Sequence, residues 1–383
     1  MIIGFNMTAF IPGTMGGMET YCRNVLRTLQ EVDASNSYRI ICDSHYTNEI
    51  PLTNSNFQYW PCNFTKPSAK WFLRGVVRNI TGIDILKPAM NRIHADVIHH
   101  PFSILNPRHL SIPSVLTFHD MQHEFFPHYF SAFEIKTRKE FYRSSATEAT
   151  RIIAISHHAK TTLIERYGIS DSKIDVIHNG YGAAFKILDD LEGMQKIRTT
   201  YNLHKPFIYY PAGTWPHKNH LSLLAALRIM MDRFGFDGEL VLTGVTQQSQ
   251  GNIFAEIERL GLQKTVRILG YLPENDLPWL YNLARAMVFP SLFEGFGIPL
   301  LESMACGCPV VCSKATSIPE VVGEAAVMFD PYSAEDIAEK TWKLWINDSL
   351  QQQLINYGLE RVKLFGWEDA ARKTIKVYEK ACA

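Results

Sequence analysis

No run of 18 apolar residues occurs anywhere in this 383-residue chain, so the sequence predicts no membrane-spanning helix. The opening MIIGFN reads as a strand and lacks the charged-then-apolar form of a secretory leader, which makes a cytoplasmic protein the expectation. An excess of one charge is also missing. Lys plus Arg and Asp plus Glu stand at 38 each, which removes any whole-chain electrostatic argument for nucleic acid. The seven cysteines, at 22, 42, 62, 306, 308, 312 and 382, are odd in number and scattered, as suits a reducing compartment. Cys306, Cys308 and Cys312 lack the paired spacing of a zinc site. No Lys-Ser/Thr pair follows the glycines at 13, 16 and 17, and their spacing is not the dinucleotide fingerprint, which argues against a P-loop and against a nicotinamide dehydrogenase. Internal repeats, low-complexity tracts and an Asp-X-Asp pair at a strand end are likewise missing.

What remains is a 46% hydrophobic, 20% charged chain of a length that suits two ordinary domains. Short apolar runs alternate with helical periodicities, a pattern that predicts an α/β fold of parallel sheets with crossover helices. Ligands gather outside the carboxyl ends of such strands, so strand ends supply the candidate residues. Ile2 to Phe5 opens into the loop of Gly13, Gly16 and Gly17 before a helix with Met18, Cys22, Val25 and Leu29 on one face. Adjacent glycines there permit a pyrophosphate to approach the backbone, although a plain tight turn would need them as well. Asp96 to Ile98 leads to His99-His100, Ser114 to Phe118 to His119-Asp120, and Arg151 to Ile155 to Ser156-His157-His158. Asp175 to His178 is followed by Asn179-Gly180, and a mixed polar segment from Ala184 to Lys205 holds the linker. The second domain opens on Phe207 to Thr214, with Lys218 just before Asn219, a favourable N-cap for the next helix.

The stretch Ala286 to Pro309, AMVFPSLFEGFGIPLLESMACGCP, reads as strand, glycine loop, short helix and strand, with Pro299 at the helix start and Gly307 just past its end. A helix start presents unpaired N–H groups and a positive dipole end. Glu294 precedes it and Glu302 lies inside it, seven residues between them. Taken alone, one could cap the helix and the other sit on a solvated face.

Glu294-Gly-Phe-Gly-Ile-Pro-Leu-Leu-Glu302 resembles the Glu-X7-Glu motif of the retaining glycosyltransferases of family 4, or group 1, and Pro319-Glu-Val-Val-Gly323 and Phe329-Asp-Pro331 extend the resemblance. That resemblance implies the GT-B fold, two doubly wound Rossmann-like domains facing each other across a cleft. Residues 1–195, completed by a returning C-terminal helix at 366–383, would form the acceptor side, and 203–365 would bind the nucleotide-sugar donor. It implies Glu294 at the transferred sugar, Glu302 at the ribose, and Gly16, Gly17 and Lys218 at the diphosphate. The loop of Phe296, Gly297, Ile298, Pro299 and Leu300 would line the sugar pocket with its amides. His119-Asp120 and the residues after it are similar to the His-Asp loop of a subgroup with several mannosyltransferases, which places His119, with Asp120, at the sugar. Many members carry an arginine near the lysine; Thr214 and His217 stand in the corresponding places here.

The reaction so implied is transfer of a hexose from a nucleotide-diphosphate sugar to a glycan or lipid-linked hydroxyl, with retention and without a metal or other cofactor. GDP-mannose is favoured over a UDP-hexose as co-substrate. The rivals are a GT-B epimerase or hydrolase acting on a nucleotide sugar, and an inactive nucleotide-sugar-binding protein. Finally, Pro51 to Ile83 contains neither Asp nor Glu, while Lys66, Lys70, Arg74 and Arg78 recur every four residues. Such spacing predicts a cationic ridge on one side of a helix, suited to peripheral contact with an anionic membrane.

Overall fold

The computed structural model describes residues 1–64 and 68–383, so that Lys66 lies outside the described residues. The chain divides into two units, Met1–Asn179 with Trp367–Ala383, and Gly180–Gly366.

The first unit is a seven-stranded sheet of β1 (Ile2–Asn6), β2 (Ser37–Cys42), β3 (Phe57–Pro61), β4 (Val97–His100), β5 (Ser114–Phe118), β6 (Arg151–Ala154) and β7 (Ile174–Val176). Its order is β3-β2-β1-β4-β5-β6-β7, and every pairing is parallel. Strands covered on both faces must be apolar almost throughout, and all of β4 and β5 is buried. The strand expected to end at Ile98 continues through His99 and His100, so both imidazoles belong to the sheet and not to a loop. Helix α1 (Gly17–Val32) follows β1, and the C-terminal helix (Trp367–Cys382) packs on the same unit. There the Tyr378 hydroxyl meets His99 Nδ1 at 2.7 Å, and Lys380 and Arg151 each reach Asp175 at 2.5 Å.

Helix α2 (Ala69–Thr81) begins at Ser68, whose hydroxyl caps it by accepting from the Trp71 N–H. The expected ridge of cations does not form. Arg74 is buried, with Nε and Nη2 each 2.6 Å from an Asp84 carboxylate oxygen, and Nη2 also 2.6 Å from Asn106. Four-residue spacing puts side chains on one face but does not say that the face is wet, and a carboxylate outside the acid-free stretch draws Arg74 inward. Burial works against the charged form of Asp84, yet the Arg74 bonds hold its carboxyl below the usual range.

The second unit is a six-stranded sheet of β8 (Phe207–Pro211), β9 (Glu239–Thr243), β10 (Val266–Gly270), β11 (Ala286–Phe289), β12 (Val310–Ser313) and β13 (Ala326–Phe329). The order is β10-β9-β8-β11-β12-β13, again parallel. Just past the ends of β8 and β9 the chains almost touch. A Cβ on Gly244, whose φ is +135°, would lie 2.5 Å from the carbonyl of Ala212, so no other residue fits there.

In each sheet the strand order reverses once, between β1 and β4 and between β8 and β11. These switch points are where an open α/β sheet leaves a crevice at its carboxyl edge. Tyr378→Phe deletes a buried hydrogen bond to His99 and should lower unfolding free energy by about 1–2 kcal/mol in urea titrations. No change in the midpoint would show that this contact does not anchor the C-terminal helix.

Candidate active site

In the second unit the loops leaving β8 and β11 are laced together by hydrogen bonds. The Leu292 N–H donates to the His217 carbonyl at 2.8 Å, and the Tyr210 hydroxyl donates to the Lys218 carbonyl at 2.8 Å. With that hydrogen committed, the Ser291 hydroxyl at 3.2 Å must be the donor to Tyr210. The Asn219 amide bridges the carbonyls of Pro290 and Pro331 at 3.1 and 2.8 Å. This corrects the expected N-cap. Asn219 precedes the helix His220–Phe234 but adopts the left-handed conformation, φ 59°, and makes no side-chain cap bond. Its side chain ties loops together instead.

The result is a close approach of two residues 76 positions apart. Lys218 Nζ lies 2.6 Å from Glu294 Oε1, with side chains 18% and 12% exposed. Glu294 is positioned from its other side by residues that the sequence reading does not single out. Its N–H donates to the Thr316 hydroxyl at 3.0 Å, while the Ser317 hydroxyl donates to the Glu294 and Phe296 carbonyls at 2.9 and 3.1 Å. Ser317 is fully buried. The signal for both was their place immediately before Ile318-Pro319-Glu320, inside the region of resemblance.

Gly297, at φ +105°, caps the helix Ile298–Ala305. The helix itself cannot pair the N–H groups of Gly297 and Ile298. Pro299 has none, and that of Leu300 is spent on the Gly297 carbonyl at 3.0 Å. The expectation that this whole loop offers amides therefore narrows to its first residues. Phe296, Ile298 and Leu300 are buried. One turn further on, Glu302 Oε2 accepts from the Tyr281 hydroxyl at 3.0 Å. Burial raises its pKa to about 7, the Tyr281 bond opposing the shift in part.

Thr214 is buried, and its hydroxyl accepts from the Gln247 N–H at 2.7 Å. Its side chain thus closes the next loop. His217 is held neutral by burial and by Lys218 beside it, its pKa pushed down to about 2. Neither stands in for an arginine as a cation.

In the first unit the candidates gather beyond β1 and β5. Gly16, at φ +54°, caps α1 and Gly17 begins it, both exposed. A Cβ on either would meet nothing within 4 Å, so only the backbone angle of Gly16 demands glycine. Glu19 closes the loop by accepting from the Gly13 N–H at 2.8 Å. A turn into the same helix, Tyr21 sets its ring edge-on to His119 at 5.1 Å. The Tyr21 hydroxyl pairs with Thr117 at 2.8 Å, and Thr117 with His99 Nε2 at 2.7 Å. The His119 N–H donates to Ser103, and its Nε2 lies 2.7 Å from the Pro101 carbonyl. A carbonyl only accepts, so Nε2 carries the proton and Nδ1 presents a lone pair. Burial depresses the His119 pKa and keeps the ring neutral, a hydrogen-bond acceptor and not an acid. Asp120 caps its own turn, accepting from the Gln122 N–H at 3.2 Å.

Comparison with known proteins places these halves. The two units are those of the GT-B fold: the chain aligns with sucrose-phosphate synthase from Thermosynechococcus elongatus at TM-score 0.77 and 18% identity, over 99% of this chain and 98% of that one. It aligns with Anabaena Alr3699/HepE in complex with UDP-glucose at TM-score 0.75 and 18% identity, over 99% and 100%. Residues 15–184 match the profile described as Glycosyltransferase Family 4, and residues 195–361 match Glycosyl transferases group 1. The chain belongs to this family of glycosyltransferases. It is 26% identical to O-antigen chain mannosyltransferase B of Escherichia coli over 95% of this chain and 96% of that protein. It is 33% identical to the serotype-specific mannosyltransferase WbdA of Escherichia coli over 62% of this chain, a match that spans 30% of that longer protein.

The raised pKa of Glu302 fixes a pH dependence. The folded state holds this proton more tightly than the unfolded chain does, so the group's contribution to stability is complete below its ordinary value of 4.5 and is lost as pH rises through about 7. Glu302→Gln should match the native chain in urea unfolding near pH 4.5 and exceed it near pH 8. Parallel stability curves across that window would refute the assignment.

Proposed function

We propose that this glycosyltransferase is a retaining mannosyltransferase. It would move mannose from GDP-mannose to a hydroxyl of a growing surface polysaccharide or lipid-linked glycan, without a metal ion. The observation that carries the reading is the Lys218–Glu294 contact at the β8/β11 switch point. Departure of a sugar from a diphosphate leaves negative charge on phosphate and builds positive charge at the anomeric carbon. One site then needs a fixed cation for the first and a fixed carboxylate for the second.

Lys218 takes the diphosphate, helped by backbone N–H groups of Gly16 and Gly17. Glu294, relieved of its lysine, faces the sugar. The N–H groups of Gly297 and Ile298 hold sugar hydroxyls, neutral His119 accepts one through Nδ1, with Asp120 beside it, and Glu302 meets the ribose. The first unit, with its returning C-terminal helix, supplies the acceptor side and the second unit the donor side. Mannose and a surface glycan are supported by the two mannosyltransferase relatives, and the lack of an Asp-X-Asp pair supports independence from metal. An acceptor that is lipid-linked would bring the enzyme to the cytoplasmic face of a membrane.

Lys218→Ala and Glu294→Ala should each lower turnover by roughly tenfold or more with circular dichroism unchanged. Near-native rates in both would remove the site. GDP should raise the melting temperature more than UDP does, product should form in excess EDTA, and its anomeric coupling should match the donor's. A larger shift with UDP would reassign the donor and leave the chemistry standing.

A further inference from the structure

Four buried polar side chains of the first unit form one hydrogen-bonded file. The Tyr378 hydroxyl meets His99 Nδ1 at 2.7 Å, His99 Nε2 meets Thr117 at 2.7 Å, and Thr117 meets the Tyr21 hydroxyl at 2.8 Å. All four residues are at most 2% exposed. Burial pushes the His99 pKa down to about 3, so the file is uncharged. Thr117 has one hydrogen, and therefore donates to one neighbour and accepts from the other. Apolar side chains would fill this space without burying polar atoms; a paired polar file instead specifies one arrangement.

The file ends where the sugar contact begins. Thr117 and His119 stand two apart at the end of β5, and Tyr21 touches both, its hydroxyl on Thr117 and its ring 5.1 Å from His119 at 86°. Aromatic rings attract at that separation and angle. Tyr21 also lies one turn into α1 beyond Gly17. The His119 ring makes one side-chain hydrogen bond, from Nε2 to the Pro101 carbonyl. A single bond fixes one point of an imidazole and lets the ring tilt about it, carrying the Nδ1 lone pair along. The Tyr21 ring is the second constraint.

We propose that Tyr21 is a positioning residue of the transfer site. It sets the plane of the His119 ring, and with it the direction of the Nδ1 lone pair, at a fixed distance from the Gly16–Gly17 turn. Thr117, His99 and Tyr378 hold Tyr21 in place, so the C-terminal helix braces the sugar contact. The proposal rests on the reading that His119 Nδ1 accepts a donor-sugar hydroxyl.

The test is a double-mutant cycle on kcat/KM for the nucleotide sugar, GDP-mannose first and UDP-hexoses if that is not turned over. Tyr21→Leu should lower kcat/KM by roughly tenfold or more, because small displacements of a positioned group are costly. Tyr21→Phe keeps the ring and should stay within about threefold of wild type. His119→Ala should also lower kcat/KM, and adding Tyr21→Leu to it should lower it no further. The melting-temperature shift with the nucleoside diphosphate alone, which carries no sugar, should be equal in all of these chains. Where Tyr21→Leu does not fold, Thr117→Val takes its place in the cycle, freeing the Tyr21 hydroxyl at nearly constant volume. Losses that multiply in the double variant would overturn the proposal, since Tyr21 would then act through packing elsewhere. Wild-type kcat/KM in His119→Ala would overturn it too, by removing His119 from the sugar. Neither result touches Lys218 and Glu294, whose own variants test the reaction. A native chain that turns over no nucleotide sugar would instead sink the transferase reading, and this proposal with it.

Discussion

A lysine and a glutamate held 2.6 Å apart at the point where the second sheet reverses its strand order is the constraint on which the rest of this site depends. Such a half-buried pair adds little net stability, because the cost of removing both charges from water offsets their attraction. Its value lies in being divisible. On the proposed reaction, a nucleotide sugar brings an anion for the lysine, and the carboxylate left behind is then under-compensated in a half-buried site. Developing positive charge at the anomeric carbon restores the balance. On the proposed reaction, the electrostatics therefore favour the transition state over the bound donor.

That division works only if neither charge relaxes toward the other once the ligand arrives. The hydrogen bonds around the pair limit this. Tyr210 and Asn219 fix the lysine's loop from below, and Thr316 and Ser317 fix the glutamate's backbone from the side. All are neutral groups, so they set geometry without adding a competing charge. His217, the nearest titratable neighbour in sequence, is kept neutral by the same surroundings. In the first unit His119 follows the same logic, its proton committed to the Pro101 carbonyl and its ring depressed by burial.

Much of this was legible in the sequence, and for a physical reason. A strand buried on both faces is a short apolar run, so the runs at Ser114–Phe118 and Ala286–Phe289 mark their strands to the residue. Polar residues just beyond such runs are then candidates by topology alone. Pairing across 76 residues is a different matter: only the motif resemblance linked Lys218 with Glu294, since nothing local does. Asn219 shows a propensity overridden, its side chain serving carbonyls of two other loops and not the helix it precedes. Glu302 shows burial, which no spacing reveals, changing a carboxylate's charge near neutral pH.

Helix α2 carries that distinction furthest. Periodicity tells which side chains share a face and is silent on which face turns inward, because the usual inference assumes that the apolar face does. Here one buried ion pair decides the orientation. Arg74 cannot leave Asp84 without stranding a carboxylate that burial already disfavours, a penalty of about 3–5 kcal/mol for breaking such a pair. Rotating the helix to bury Phe72 and Ile80 would have to recover that loss from their burial, at about 1.5–3 kcal/mol per large apolar side chain, while also accommodating bulk that the neighbouring core does not include. The buried ion pair thus marks which side of the helix turns inward. At Arg74–Asp84 as at Lys218–Glu294, charge supplies orientation more than stability.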